Sequence, residues 1–299
     1  MSYLHSDKIK ILEAKANEIR QAIIDSLLNV GSGHIAGSLG MTDVFVLLYF
    51  HILKHNPKDP LWEERDRLIL SNGHICPALY ATMAYAGYFP IEELKTLRKF
   101  GSRLQGHPHR EFLPGIETSS GSLGLGLSQA AGMALADRID KGRSSNRFFY
   151  CLIGDGELQE GQNWEAIQMA GKERLHNLIV IVDRNNIQID GFTEDVMPLE
   201  PLQDKFEAFN WHVINASGHD FDDLDDAIIQ AQAVFAKPTV IIAHTIPGKG
   251  LDFAERNFQW HGIPPKDNFE KAIKKQNKQG VKELTRLQIL EDKIQNENE

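Results

Sequence analysis

Cysteine is scarce: Cys76 and Cys151 are the only two in 299 residues, and they sit in the apolar stretches HICPALY and FFYCLI. With no metal-like spacing between them, they exclude a disulfide framework and a cysteine-bound metal cluster, and both read as buried, reduced thiols. No apolar run approaches the ~20 residues that a membrane-spanning helix requires. Basic residues are outnumbered, with 32 Lys and Arg against 41 Asp and Glu and a formal net charge of -9. That balance argues against a scaffold that neutralises the many phosphates of a nucleic acid. Nothing near Met1 has the make-up of a secretory signal, since the charged segment SDKIKILEAKANEIR follows at once. Internal repeats and low-complexity segments are also missing. The expectation is a soluble, cytoplasmic chain that engages neither membrane nor nucleic acid. At 42% hydrophobic and 24% charged residues it has the composition of an ordinary globular protein, long enough for a well-buried core.

What is present is an alternation of helical and strand patterns. Ile9, Leu12, Ala16, Ile19, Ile23 and Leu27 recur every three or four residues and predict an amphipathic helix over 8–29. A second, apolar helix is expected over 41–53, a short buried strand over 67–70, and helices over 77–86 and 91–100. A loop rich in Gly, Pro and His then fills 101–126, before a small-residue helix over 127–141. The clearest stretch is a strand at 148–153, a Gly154-Asp155-Gly156 turn, a helix from about Gly161 to 173, and a strand at 178–183. Continuous apolar strands around a helix indicate a parallel sheet covered on both faces. Strands at 211–215 and 239–244 flank a helix at 222–235. Together these patterns predict an α/β fold, doubly wound, with a mainly parallel sheet and helices on both faces. The irregular stretch 246–268 is too long for an ordinary connection. The domain is expected to occupy 1–270, followed by a charged helical tail over 271–299.

Open parallel sheets bind ligands beyond the carboxyl ends of their strands, and both Gly154-Asp155-Gly156 and Asn185-Asn186 fall at such ends. Asp155 offers a carboxylate and Asn185 an amide oxygen, hard ligands suited to Mg²⁺, whose shell phosphate oxygens and water commonly complete. Glycines on either side of Asp155 let a ligand approach the backbone, and the helix that follows favours an anion. An acidic chain thereby acquires a local phosphate device. The segment from Gly121 to Gly126 is not a dinucleotide fingerprint, because the polar Glu117-Thr118-Ser119-Ser120 precedes it instead of an apolar strand. FDDLDD from Phe221 lacks the glycine and terminal glutamate of a Ca²⁺ loop and reads as an acid-rich helix start. His5, His51, His55, His176, His212, His219 and His244 read as structural or surface histidines. His34, His74, His107 and His261 lie in loops that contain Gly or Pro and read as functional, while His109 is left open.

GDG, about 28 further residues and then NN, at the ends of two strands joined by one helix, resembles the thiamine diphosphate signature. The surrounding blocks narrow the resemblance to the N-terminal domain of transketolase. They are SGHIAGSLG at His34, SNGH ending at His74, QGHPHR at His107, ETSSGSLGLG from Glu117, GDGELQEGQNWEA from Gly154 and WHG at His261, all in the family's order between about residues 10 and 265. The resemblance implies a cofactor pair of thiamine diphosphate and Mg²⁺, with Ca²⁺ or Mn²⁺ as possible substitutes. It assigns the metal to Asp155, Asn185 and the main-chain carbonyl of Ile187, and the diphosphate to His74, Gly156 and His261. Gly121 and Leu123, with Ser122 between them, would hold the aminopyrimidine ring. His34, His107 and His261 would face the substrate, with His34 also near the cofactor, and Glu160 would join an acidic network linking cofactor sites across a subunit interface. Ile35, Ala36, His109 and Ser122 depart from the family's commoner residues and bear on substrate preference.

The activity implied is transfer of a two-carbon ketol unit from a ketose phosphate to an aldose phosphate. In the family a second, pyrimidine-binding domain supplies an activating glutamate, and the roughly forty charged, helix-prone residues after His261 are expected to be too few for such a domain. The expected partner is therefore a separate C-terminal, pyrimidine-binding transketolase subunit, with two copies of each half. The alternatives are a component of another thiamine diphosphate enzyme, of the deoxyxylulose phosphate synthase or E1 type, and a non-catalytic regulatory subunit that binds the cofactor. A nucleotide-binding oxidoreductase fits least.

Overall fold

The computed structural model describes residues 4–142 and 145–262. The amphipathic period of the first segment forms α1 (Ser6–Val30), whose Leu12, Ala16, Ile19, Ile23 and Leu27 are buried. It stops at Gly31, whose left-handed φ of 66° lets its N–H bond the Leu27 carbonyl. The apolar helix expected over 41–53 is broken into pieces: α2 (Ala36–Gly40), α3 (Thr42–Leu47) and a π-helical turn over Leu48–Ile52. Every residue from Ala36 to Leu48 is buried, so packing from all sides, and not one apolar stripe, sets the path.

After β1 (Arg67–Leu70) comes α4 (Cys76–Tyr85). The helix expected over 91–100 is only a 3₁₀ segment, Ile91–Thr96, because the chain reverses at Arg98, which has a φ of 56°. Then follow α5 (Gly126–Lys141), β2 (Phe149–Gly154), α6 (Gly161–Glu173) and β3 (Leu178–Arg184). A two-stranded hairpin, β4 (Ile187–Gln188) and β5 (Gly191–Phe192), and helices α7 (Thr193–Val196) and α8 (Leu202–Ala208) were not legible as patterns. The chain closes with β6 (His212–Ser217), α9 (Phe221–Gln232) and β7 (Thr239–His244). The helix expected to reach 235 stops at Gln232, and Phe235 is left exposed.

The strands form one parallel sheet in the order β1-β2-β3-β7-β6. Alternation sorts its side chains: Tyr150, Leu152, Ile179, Ile181 and Ile241 pack with α1, α3, α4 and α9 on one face. Phe149, Cys151, Ile153, Val180, Val182 and Val240 pack with α5, α6 and α8 on the other. The doubly wound architecture is thus present. Both cysteines are buried and free. Among the described residues no helix is long and apolar enough to cross a membrane. The stretch after β7 runs as a loop pinned by the Gly248 N–H to the Ala36 carbonyl at 2.9 Å, with a short 3₁₀ turn at Phe258–Trp260. The expected tail over 271–299, and the boundary at 270, lie outside the described residues.

The close approach of α6 to the chain before β6 has a measurable cost attached. A Cβ on Gly171 would lie 1.9 Å from the Phe209 carbonyl oxygen, a backbone atom that cannot swing aside. Gly171→Ala is therefore expected to lower the free energy of unfolding by about 1–3 kcal/mol or more, the usual scale for overpacking. Urea denaturation checks it, and an unchanged midpoint would contradict the packing described.

Candidate active site

Three carboxyl ends of neighbouring strands meet a cavity of about 430 Å³. Leu70 of β1 pairs with Leu152 of β2, and Gly154 of β2 with Asp183 of β3, so the turns beyond these strands emerge side by side. Asp155, Gly156, Asn185 and Ile187 all line the cavity. So do His34, His74, His107 and His261, contributed by four separate segments, His74 from a 3₁₀ turn over Gly73–Ile75. Gly121, Leu123 and Glu160 complete the expected set on its wall. Ser122 is exposed and is not among the lining residues. His109 stacks on Phe112 at 4.3 Å, also away from the lining.

At the acidic end, Asp155 Oδ1 accepts the Gly156 N–H at 2.7 Å, and Oδ2 accepts from Asn186 N–H at 2.7 Å and Arg184 Nη1 at 3.1 Å. Arg184 is buried and also donates to Glu194 at 2.7 Å and Glu200 at 2.8 Å. Burial pushes the Asp155 carboxyl up to about 6, against the pull of Arg184 and the two backbone donors. Asp183 is wholly enclosed, and burial pushes it up to about 7 despite hydrogen bonds from Thr245 and Asn185. Asn185 is held on both sides: its Nδ2 donates to Asp183 at 2.8 Å and its Oδ1 accepts from Ile187 N–H at 2.9 Å.

The histidines form a tight group. Ring centroids lie 4.9 Å apart for His34 and His74, 5.3 Å for His74 and His261, and 5.7 Å for His34 and His261. Burial, aided by His261, Arg98 and His107, holds the His34 imidazole down to about 4. Burial likewise lowers His74, His261 and, together with Arg98, His107. Near neutral pH these rings are uncharged.

Three further residues belong to the site although their types gave no warning. Asn72 is buried, lines the cavity and has no hydrogen-bond partner for either amide atom among the described residues. Buried polar groups are normally satisfied, so this amide marks a place for a ligand's polar atoms. Glu157 is buried on the same wall and accepts from Ser71 Oγ at 2.6 Å, Gly124 N–H at 2.7 Å and Gly154 N–H at 3.1 Å. Arg184 is the third. Glu157 stood inside the GDGELQEG block, and Asn72 inside SNGH, but a single sequence does not distinguish a buried glutamate or asparagine from an exposed one.

The residues fit a divalent cation with a phosphate-bearing ligand. Asp155 Oδ1 and Asn185 Oδ1 each accept a single hydrogen bond, so each retains a lone pair. A Cβ on Gly156 would sit 3.9 Å from the Ile187 carbonyl oxygen, which places that oxygen beside the same turn. All three are hard oxygen donors, matched to Mg²⁺. Among the described residues no group of three or more His, Cys, Asp or Glu side chains is arranged to hold a metal. The candidate set has one carboxylate and relies on amide, carbonyl and ligand oxygens instead.

Comparison with known proteins gives the family. Residues 11–298 match the family model of the transketolase thiamine diphosphate binding domain. The chain is 45% identical to the 6-deoxy-6-sulfo-D-fructose transketolase subunit SqwG of Clostridium sp. (strain MSTE9), covering 87% of this chain and 94% of that protein. It is 38% identical to an apulose-4-phosphate transketolase subunit of Phocaeicola vulgatus, covering 89% of this chain and 94% of that one. The crystal structure of transketolase from Campylobacter jejuni superposes with a TM-score of 0.85 at 38% identity, over 91% of this chain and 43% of that chain. The chain belongs to the family of transketolase thiamine diphosphate-binding domains.

The depressed imidazoles set a sign for pH dependence. Between 6.5 and about 4 the unfolded chain takes up a proton that folded His34 refuses, so His34 withdraws stability as pH falls through that window and contributes nothing above it. His34→Gln is expected to flatten the fall in stability between pH 7 and pH 5, leaving the smaller slope due to the other three rings. Urea unfolding at both pH values checks this, and parallel wild-type and variant profiles would contradict it.

Proposed function

We propose that this chain is the cofactor-binding half of a split transketolase. In this reading it holds thiamine diphosphate and Mg²⁺ and works with a separate pyrimidine-binding subunit, two copies of each, to move a two-carbon ketol unit from a ketose phosphate to an aldose phosphate. The observation that carries the reading is the convergence of Asp155, Asn185 and Ile187 with four uncharged histidines on one cavity. Relatives of matching length that are named as transketolase subunits support the two-chain organisation.

Asp155, Asn185 and the Ile187 carbonyl would hold the cation, while His74, His261 and the Gly156 backbone would meet the diphosphate. Gly121 and Leu123 would meet the aminopyrimidine through the backbone. When bound, thiamine diphosphate supplies an electron sink for breaking and making a carbon–carbon bond. The protein's own part is to orient the sugar and handle its protons. His34, His107 and His261, kept neutral by burial, are suited to exchange hydrogen bonds and protons with hydroxyls and a carbonyl near pH 7. Glu160 is exposed at the start of α6, consistent with a place in an acidic network completed by a neighbouring protomer.

Calorimetric titration with thiamine diphosphate should show heat only with Mg²⁺ present, and Asp155→Ala should abolish that metal-dependent binding. Unchanged affinity in EDTA would sink the metal assignment. A second expectation concerns the partner. With a ketose phosphate and an aldose phosphate supplied, the chain alone should show no two-carbon transfer and should gain it on titration with a pyrimidine-binding partner chain. Cofactor and Mg²⁺ should tighten that association by linkage. Full turnover by the purified chain alone would overturn the split-enzyme reading.

A further inference from the structure

Few hydrogen bonds hold the segment 121–126, although Gly124 packs closely on Glu160 and Gln162 and Gly126 on Ser71. It is not part of a helix or strand until Gly126, and it includes Gly121 and Gly124, the latter at a φ of 84°. Its anchors are few: the Leu123 carbonyl accepts from Gln162 Nε2 at 3.1 Å in an exposed, neutral bond. The strong anchor is Glu157. Its Oε1 accepts from Gly124 N–H at 2.7 Å and Ser71 Oγ at 2.6 Å, while Oε2 accepts from Gly154 N–H at 3.1 Å. Ser71 Oγ in turn accepts the Gly126 N–H at 3.0 Å, so its own proton is committed toward Glu157. All three groups facing this carboxylate are donors. Burial and the neighbouring Glu160 push this carboxyl up, and the three donors pull against that push; bonds to a carboxylate are stronger than the neutral Gln162 contact. The carboxylate thus joins the end of β1, the end of β2 and the 121–126 segment at a single buried point.

We propose that Glu157 is a positioning residue that holds the 121–126 segment in its ligand-ready conformation and ties it to the Asp155 turn. The proposal rests on the thiamine diphosphate reading of the cavity. Both lone pairs of Oε1 are taken by protein donors, so this oxygen serves the scaffold, while Oε2 accepts the Gly154 N–H alone. The consequence falls on Gly121 and Leu123, which line the cavity within three residues of the anchored Gly124 N–H.

Glu157→Gln is the sharpest variant, because it keeps size and shape but turns one acceptor oxygen into an NH₂ aimed at a donor. The test compares wild type, Glu157→Gln and Ser71→Ala in the full chain by amide hydrogen exchange without ligand and by calorimetry with thiamine diphosphate at saturating Mg²⁺. In Glu157→Gln, exchange over 121–126 should accelerate by about tenfold or more, and the Kd for thiamine diphosphate should rise by about tenfold, while far-UV circular dichroism is retained. In enzyme reconstituted with a pyrimidine-binding partner chain, the cofactor concentration for half-activity should rise while kcat at saturation stays within about threefold. Ser71→Ala should move exchange and Kd the same way by less. Unchanged exchange over 121–126 in Glu157→Gln overturns the proposal. So does a large loss of kcat at saturating cofactor with unchanged Kd, which would make Glu157 a catalytic group. If Glu157→Gln does not fold, the exchange rates of Ser71→Ala decide. If the wild type binds no thiamine diphosphate, that failure belongs to the functional reading, and the exchange measurement still decides the anchoring role.

Discussion

Six residue pairs join β2 to β3, from Phe149 opposite Leu178 to Gly154 opposite Asp183, and every residue in this ladder is buried. Shifting one strand by a single residue would turn each of its side chains to the opposite face. Tyr150 and Leu152 would leave the layer formed with α1, α4 and α9, and Phe149, Cys151 and Ile153 would enter it in their place. The sorting of side chains between two apolar layers therefore fixes the register. The register, in turn, puts Asp155 and Asn185 beside one cavity although no direct bond joins them. Local geometry beyond the strand ends then has little left to decide.

Removal from water acts on the two halves of the cavity in opposite senses with one result. It raises the carboxyls of Asp155, Asp183 and Glu157 and lowers the imidazoles of His34, His74 and His261, so acids and bases are both driven toward their uncharged forms. The buried cation beside the strand ends, Arg184, is divided among Asp155, Glu194 and Glu200 and does not neutralise the acidic end. A cavity dense in hydrogen-bonding groups is thereby kept low in fixed positive charge at the strand ends.

The strands and the long helices were legible because their apolar residues repeat with a clear period and are bounded by glycine turns. α6 and β7 fall where the pattern put them. Legibility ends where burial is uniform or tertiary contacts decide. The breaks near Met41 and after Leu47 lie within a wholly buried run with no stripe to read. The helix at Ile91 ends early because Arg98 turns the chain, with its guanidinium bonding Ser32 Oγ at 3.2 Å, across sixty-six residues. At the candidate site, the histidines beside glycines could be picked out, and so could Asp155 and Asn185, all of which line one cavity. Glu157, Asn72 and Arg184 could not, because their significance lies in partners, or missing partners, that are distant in sequence or visible only in the fold. Ser122, grouped with its neighbours by sequence adjacency, points elsewhere because alternate residues of an irregular segment need not share a side.

Nδ1 of His34 and Nδ1 of His261 are buried and have no hydrogen-bond partner among the described residues. In most histidines near a reacting centre, a carbonyl or carboxylate fixed behind the ring dictates which nitrogen carries the proton. Here the fold fixes the rings' positions but leaves their tautomers unassigned. Either ring is equally ready to present a donor to a carbonyl or an acceptor to a hydroxyl, so the choice passes to whatever group enters the cavity. Under the proposed ketol transfer, such indifference would let one pair of rings serve as donor in one step and acceptor in another without any rearrangement of the backbone.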